Sequence, residues 1–350
     1  LAWQRLAVQG VAVEPDGMAW ASDGDAVTAQ VAVRLAASAL RVQATARMPL
    51  HEPRAAVLAV TLPETDLEPV GTLAALIRDK AAGAEAGGRV AAEANVRFLG
   101  ARPHVTGRMR ISEGWLRKGR AEVRGVTAEV PFLAGVIFRT IESPFVTFTE
   151  ARAGNVRFDR GRVDFQVTRR GIFVDRAEVG WCGGSLNAYS VNWDFVRPHD
   201  DFVVYADRID LGEALMMIMP FKGRMAGELY GRFPVGIDQG HVRLAPGFLY
   251  SLPGQGGSLR LEDSAQMRLL LDRSGIKGEV QEPLAKALSD LDFSTLKLDL
   301  EPREDGEGTL RIKLVGKSND KAWPAPVDLN LNLHGPLEKL VNMGLDVSRQ

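Results

Sequence analysis

From Gly223 to Val235 every second residue is small or apolar (Gly223, Met225, Gly227, Leu229, Gly231, Phe233, Val235), and Arg224, Glu228, Tyr230 and Arg232 stand between them. A period of two separates the sets onto opposite sides of a pleated strand, so this stretch reads as a half-buried strand in an antiparallel sheet. Turn signals follow at Gly236-Ile237-Asp238, Gln239-Gly240, Ala245-Pro246-Gly247 and Pro253 to Gly257. Glycine and proline there supply turn dihedrals and deny a helix.

The rest of the chain repeats this grammar. Residues 1–62 hold short alternating runs bounded by Pro15-Asp16-Gly17, Asp23-Gly24-Asp25 and His51-Glu52-Pro53, which predict hairpins or a meander. Leu62 to Pro69 breaks the pattern. Asp66 is placed to cap a helix, Pro69 suits its first turn, Leu73, Leu76 and Ile77 follow at helical spacing, and Lys80 to Gly88 ends it. Strands resume from Arg89 and continue to Ile209, where Asp210-Leu211-Gly212-Glu213 opens a second helix stopped by Pro220. Asp66 and Asp210 lie 144 positions apart (66 and 210), each leading from strands through one short helix to a glycine-led strand at Gly88 or Gly223. This predicts one elongated repetitive β domain over 1–350, with weak repeat units 1–88 and 89–223. A helical piece at Pro283 to Leu288 precedes three strictly alternating strands, Leu296 to Leu300, Leu310 to Leu314 and Val327 to Leu333, and Leu337 to Met343 closes as an amphipathic turn.

Catalytic grammar is missing. His51, His104, His199, His241 and His334 stand singly, outside any metal-ligand spacing, and read as ordinary surface histidines. Ser251 and Ser258 lack a nucleophile elbow, and Gly254 to Gly257 is followed by a strand pattern rather than the helix a phosphate loop requires. Asp292 and Asp299 read as solvated strand residues. With 43 basic and 44 acidic residues the net charge is −1, which points away from nucleic acid and other polyanions. The single cysteine, Cys182, excludes an internal disulfide framework. No catalytic residue, cofactor or metal is expected. Leu1 is not an initiator methionine and no apolar run of 18 residues occurs, so the expectation is an excised fragment or a mature form, and any membrane anchor would lie upstream.

The pattern predicts about twenty strands and two to four short helices, too little helix to cover so much apolar face. About twenty strands stacked at roughly 4.8 Å make a sheet roughly 95 Å long, which must split into sandwiches or fold along its length around a channel. The natural occupant of an apolar channel is an acyl chain. Each CH₂ left in water costs ~0.8 kcal/mol, so moving a two-chain lipid unsheathed costs more than ~20 kcal/mol.

Several segments carry a resemblance to a known family: Gly227 to Val235, Gly240 to Leu249, Gly256 to Leu261, Leu296 to Leu300 and Val327 to Gly335. Over residues 201–340 the chain resembles the carboxy-terminal region of the YdbH family, which is similar to the AsmA-like and TamB proteins of diderm bacteria. The resemblance implies an elongated twisted antiparallel sheet folded into an apolar groove, of the β-taco type, that carries phospholipid between the membranes through the periplasm. It also implies an inner-membrane anchor upstream and a small outer-membrane lipoprotein as partner. The edge of Val327 to Leu333 is the candidate for strand addition by that partner.

Three readings stay open on the residues themselves. In a lipid conduit the groove is lined by Leu229, Phe233, Val235, Leu259, Leu261, Leu296, Leu298, Leu300, Leu310, Ile312, Leu314, Leu329, Leu331 and Leu333. In a β-sandwich scaffold or adhesion protein the same residues fill a closed core and bind no lipid. A transmembrane barrel would need aromatic girdles, which four tyrosines and six tryptophans amid 25% charged residues do not supply.

Overall fold

A computed structural model of the chain describes residues 6–8, 11–35, 41–67, 84–99, 102–135, 137–154, 156–196, 199–218, 222–238, 241–262, 264–273, 275–303 and 306–335. The protein is mainly β, built of twisted antiparallel sheet with few short helices. Two units follow from the contacts: residues 1–151 with 160–175, and residues 152–159 with 176–349.

The first unit is an antiparallel meander. Val11–Ser22, Ala26–Leu35, Arg41–Pro49, Val57–Leu67, Ala84–Leu99, Arg102–Lys118 and Ala121–Ala134 pair each with the next. Asp23 makes the first hairpin, its Oδ1 accepting the backbone N–H of Ala26 at 2.8 Å. Pairing register turns the alternation of single strands into rows that run across the sheet. One row is Trp20, Ala29, Ala46, Leu58, Val96, Val105 and Ala134, and another is Met18, Val31, Ala44, Val60, Ala94, Gly107 and Phe132. The row between them, on the other face, is Ala19, Gln30, Thr45, Ala59, Asn95, Thr106 and Leu133. Seven strands at roughly 4.8 Å give an apolar surface about 29 Å long.

A line of bulges crosses this sheet. Register shifts fall between Leu62 and Thr65, between Gly87 and Arg89, and between Ile111 and Gly114. Gly88, Glu113 and Gly125 adopt positive φ there, at 122°, 52° and 62°. A bulge bends its strand and increases local twist, so aligned bulges crease the sheet. Gly88 is obligatory at this crease, since a Cβ would lie 2.6 Å from the Gly114 Cα. On the polar face Arg89 ties the crease together, pairing with Glu113 and, at 3.7 Å, with Glu64.

Several expectations are corrected here. Val57–Leu67 runs straight through Pro63, and Asp66 lies in the strand opposite Arg89 instead of capping a helix. Ala84 to Gly88 is strand, and Pro15-Asp16-Gly17 is a bulge within Val11–Ser22 rather than a turn. Proline is tolerated at bulges because the ladder there already lacks a hydrogen bond. The helix expected around Leu73 to Ile77, the turn at Gln239-Gly240 and the segment Leu337 to Met343 lie outside the described residues.

Among the described residues the second unit combines sheet with three helices: α1 (Leu211–Ile218), α2 (Ala265–Arg273) and α3 (Gln281–Ser289). Its strands pair in the order Gly184–Asp194, His199–Asp210, Glu228–Asp238, Gly247–Tyr250, Asp290–Pro302, Gly308–Ser318, Pro326–Gly335. Asp210 caps α1, its Oδ1 accepting the Glu213 N–H at 2.7 Å. Helices at α1 and α3 match the expected positions; α2 was not anticipated. The strand expected over Gly223 to Val235 is two. Gly223–Ala226 pairs with Gly257–Leu261 and Glu228–Asp238 pairs elsewhere, with Gly227 at φ 144° between them. The Gly236-Ile237-Asp238 turn is absorbed into the second of these strands.

Candidate functional site

Cross-strand register assembles the apolar face of the second unit as it does in the first. Leu186, Ala206, Gly231, Leu249, Leu298, Ile312 and Leu331 form one row across seven strands. The neighbouring row on the opposite face is Asn187, Tyr205, Arg232, Phe248, Asp299, Arg311 and Asn332. Charges on that polar face pair among themselves, Lys297 with Asp299 at 2.9 Å and Arg311 with Glu301 at 2.8 Å. Arg260 is the densest node. Its guanidinium reaches Asp290 and Asp292 and donates to the Leu291 carbonyl at 2.7 Å. Together with the amide of Asn319, it holds the Asp292 carboxyl below its ordinary range. Asp292 and Asp299 are therefore ion-paired on the polar face, with Arg260 and Lys297 respectively.

Burial along the apolar face is uneven. Leu229, Leu259, Leu296, Leu314, Leu329 and Leu331 are buried in one core cluster, and Phe233, Leu261, Leu298 and Ile312 pack half-buried against it. Val235 is buried outside that cluster, while Leu300, Leu310 and Leu333 are half-buried. Going along Asp290–Pro302, Leu291 is 0% exposed, Phe293 4% and Leu296 5%, after which Leu298 and Leu300 open. The helices account for the buried end. Met267 and Leu271 of α2, Ala285 and Leu288 of α3, and Leu211 and Ala214 of α1 share the cluster with Leu291 and Phe293.

Sequence reasoning missed the contribution of α2 to this core. The signal was present, since Met267 and Leu271 stand at a helical spacing of four. It also placed every lining residue in the second unit, whereas the first unit carries apolar rows across as many strands. Among the described residues of the first unit only Ala26 and Ala128 are buried hydrophobics, Trp20 is 75% exposed and Met18 69%.

Cys182 sits in the same cluster, 3% exposed, in a tight turn at φ 45°. Burial first, then the negative charges of Glu213, Asp210 and Asp159, push its thiol from 9.0 to about 12. The neutral thiol is thus held in the folded state. The expected result is no alkylation by iodoacetamide of the native chain at pH 8 and full alkylation in denaturant; rapid native labelling would contradict the packing described. Because the folded pKa lies above the unfolded one, this group's contribution is intact below pH 9 and lost as pH rises toward 12.

Among the described residues no group of three or more His, Cys, Asp or Glu could hold a metal ion, and no helix is long and apolar enough to cross a membrane. Each unit is an antiparallel sheet crossed by a row of apolar residues and glycine in register over seven strands. The model of the YdbH-like family, described as intermembrane phospholipid transport protein YdbH, matches residues 5–344, and the chain belongs to that family. The match extends the resemblance noted over 201–340 to nearly the whole chain. The family is one of lipid transport proteins. No curated protein and no solved structure matches the chain.

Proposed function

We propose that the apolar face of each unit is a groove wall along which phospholipid acyl chains travel between the two membranes, across the periplasm. The observation that carries this reading is the unbroken row of apolar residues and glycine in register across seven hydrogen-bonded strands, present in each unit and backed by a mixed row on the reverse face of the first unit and a mostly polar one in the second. A sheet that only needed a core would have that face covered. In the first unit the face is left half-exposed, ending at Met18 and Trp20. Such a wall offsets the ~0.8 kcal/mol that each CH₂ costs in water, and transport along it requires no catalytic group.

The partners follow from the same reading. Pro326–Gly335 pairs with Gly308–Ser318 on one side, and among the described residues its other side has no strand neighbour. Asp328, Asn330, Asn332 and His334 are exposed along it, so a small outer-membrane lipoprotein adds a strand there through the free backbone groups. An upstream segment anchors the full-length protein in the inner membrane. The filled cluster around α1, α2 and α3 favours a second reading, a β scaffold that binds protein alone.

Native mass spectrometry of the purified chain, with lipid extraction from the same sample, separates the two. Conduit function is expected to show phospholipid adducts that extraction identifies by headgroup. A lipid-free mass from cells rich in phospholipid would leave the scaffold reading standing and overturn the conduit.

A further inference from the structure

Gly257–Leu261 and Asp290–Pro302 are direct antiparallel neighbours, Leu259 opposite Leu291 and Arg260 opposite Asp290. Two strands so paired need only a two-residue turn between them. Instead residues 262–289 leave the sheet, form α2 and α3, and return to the adjoining strand. The excursion is unnecessary for connection, so its use lies in what it covers.

What it covers is the apolar face. Met267 is 7% exposed, Leu271 0%, Ala285 0%, Ala287 0% and Leu288 1%, and four of these five lie in one cluster with Leu259, Leu291, Phe293 and Leu296. Phe293 forms the floor beneath them. Its ring lies against glycines, and a Cβ on Gly257 would stand 2.2 Å from it. The two helices are also fastened to each other, by Arg268 to Glu282 at 2.8 Å and by the Gln281 amide donating to the Arg268 carbonyl at 3.2 Å. A lid is drawn from the weakly packed parts of a structure; this insert belongs to the best-packed part.

We infer that the α2–α3 insert is a built-in occupant of the apolar face, holding the place that acyl chains take elsewhere. Lipid contact in the second unit is then confined to the half-buried residues beyond the helices, among them Leu249, Leu298, Leu300, Leu310, Ile312 and Leu333. The insert sets the width of the path, so a lipid crosses this unit on the open strip alone. The inference rests on the conduit reading.

The test is photo-leucine substituted throughout the full chain, purified with its bound phospholipid, irradiated and mapped by mass spectrometry. The probe is close to leucine in shape, so the core keeps its packing. Phospholipid adducts are expected at Leu58 of the first unit and at Leu300 and Leu310, with about tenfold fewer at Leu291, Leu296 and Leu314, which lipid reaches only through local opening. Equal adduct density at both sets in the second unit, with Leu58 labelled, would overturn the inference and leave the conduit intact. Adducts at Leu58 and none in the second unit would also overturn it. No adduct at any leucine, Leu58 included, would overturn the conduit and the inference together.

Discussion

Arginine in place of Leu298 is expected to strip phospholipid from the chain and stop its carriage while the fold survives. Leu298 lies half-buried between Leu249 and Ile312 in a row without a single titratable side chain. The nearest carboxylate in sequence, Asp299, points to the opposite face and is paired with Lys297. A guanidinium on the apolar side therefore has no counter-ion, and an unpaired charge that acyl chains would bury costs several kcal/mol. Since about 1.4 kcal/mol is a factor of ten, bound lipid should fall by more than about tenfold. Ile312→Arg, one strand away in the same row, should do the same, and Leu298→Met should do nothing. The measurement is lipid per chain by native mass spectrometry beside a thermal melt. A folded L298R chain carrying the wild-type amount of lipid would sink the conduit; a chain that simply unfolds would support the scaffold.

The second large effect concerns packing. Leu291→Ala is expected to destabilise the second unit by about 2–5 kcal/mol, because the removed methyls leave a cavity that a tightly held site cannot close. Leu291 is 0% exposed, opposite Leu259 and beneath the helices. Val60→Ala in the first unit, on a half-buried row, removes less and should cost about 1 kcal/mol or below. Chemical denaturation of the full chain followed in each unit would show the contrast. Equal small losses at both positions would mean that the second unit has no filled core.

Much of the sheet was legible in the sequence, and the reasons differ by region. Leu296 to Leu300, Leu310 to Leu314 and Val327 to Leu333 alternate leucine with charged or amide residues, so strand, face and polarity are all readable. The apolar rows of the first unit rely on Ala29, Ala44, Ala46 and Ala94, and alanine is a poor strand former that signals neither core nor face. Pro15 and Pro63 read as breaks because a proline removes a ladder hydrogen bond; the bulges that accept them exist only once the partner strand is in place. The site was half legible. All fourteen expected lining residues fall on alternating apolar positions, but a period of two is the same for a filled wall and an open one. What separates Leu296 from Leu298 is its burial in one cluster with the helix pair formed by residues 265–273 and 281–289, which the alternation of its own strand does not show.

The rows themselves set a rule for how such a gene can change. Between bulges every wall residue owes its side to the parity of its position, so a one-codon insertion between Val105 and Gly107 that no new bulge absorbs would turn Arg108 and Arg110 toward the wall and send Met109 and Ile111 out to water. Lengthening by two codons restores the parity, and lengthening in the turns leaves it untouched. Drift in length should therefore collect at the hairpin tips, with strands growing or shrinking in even steps.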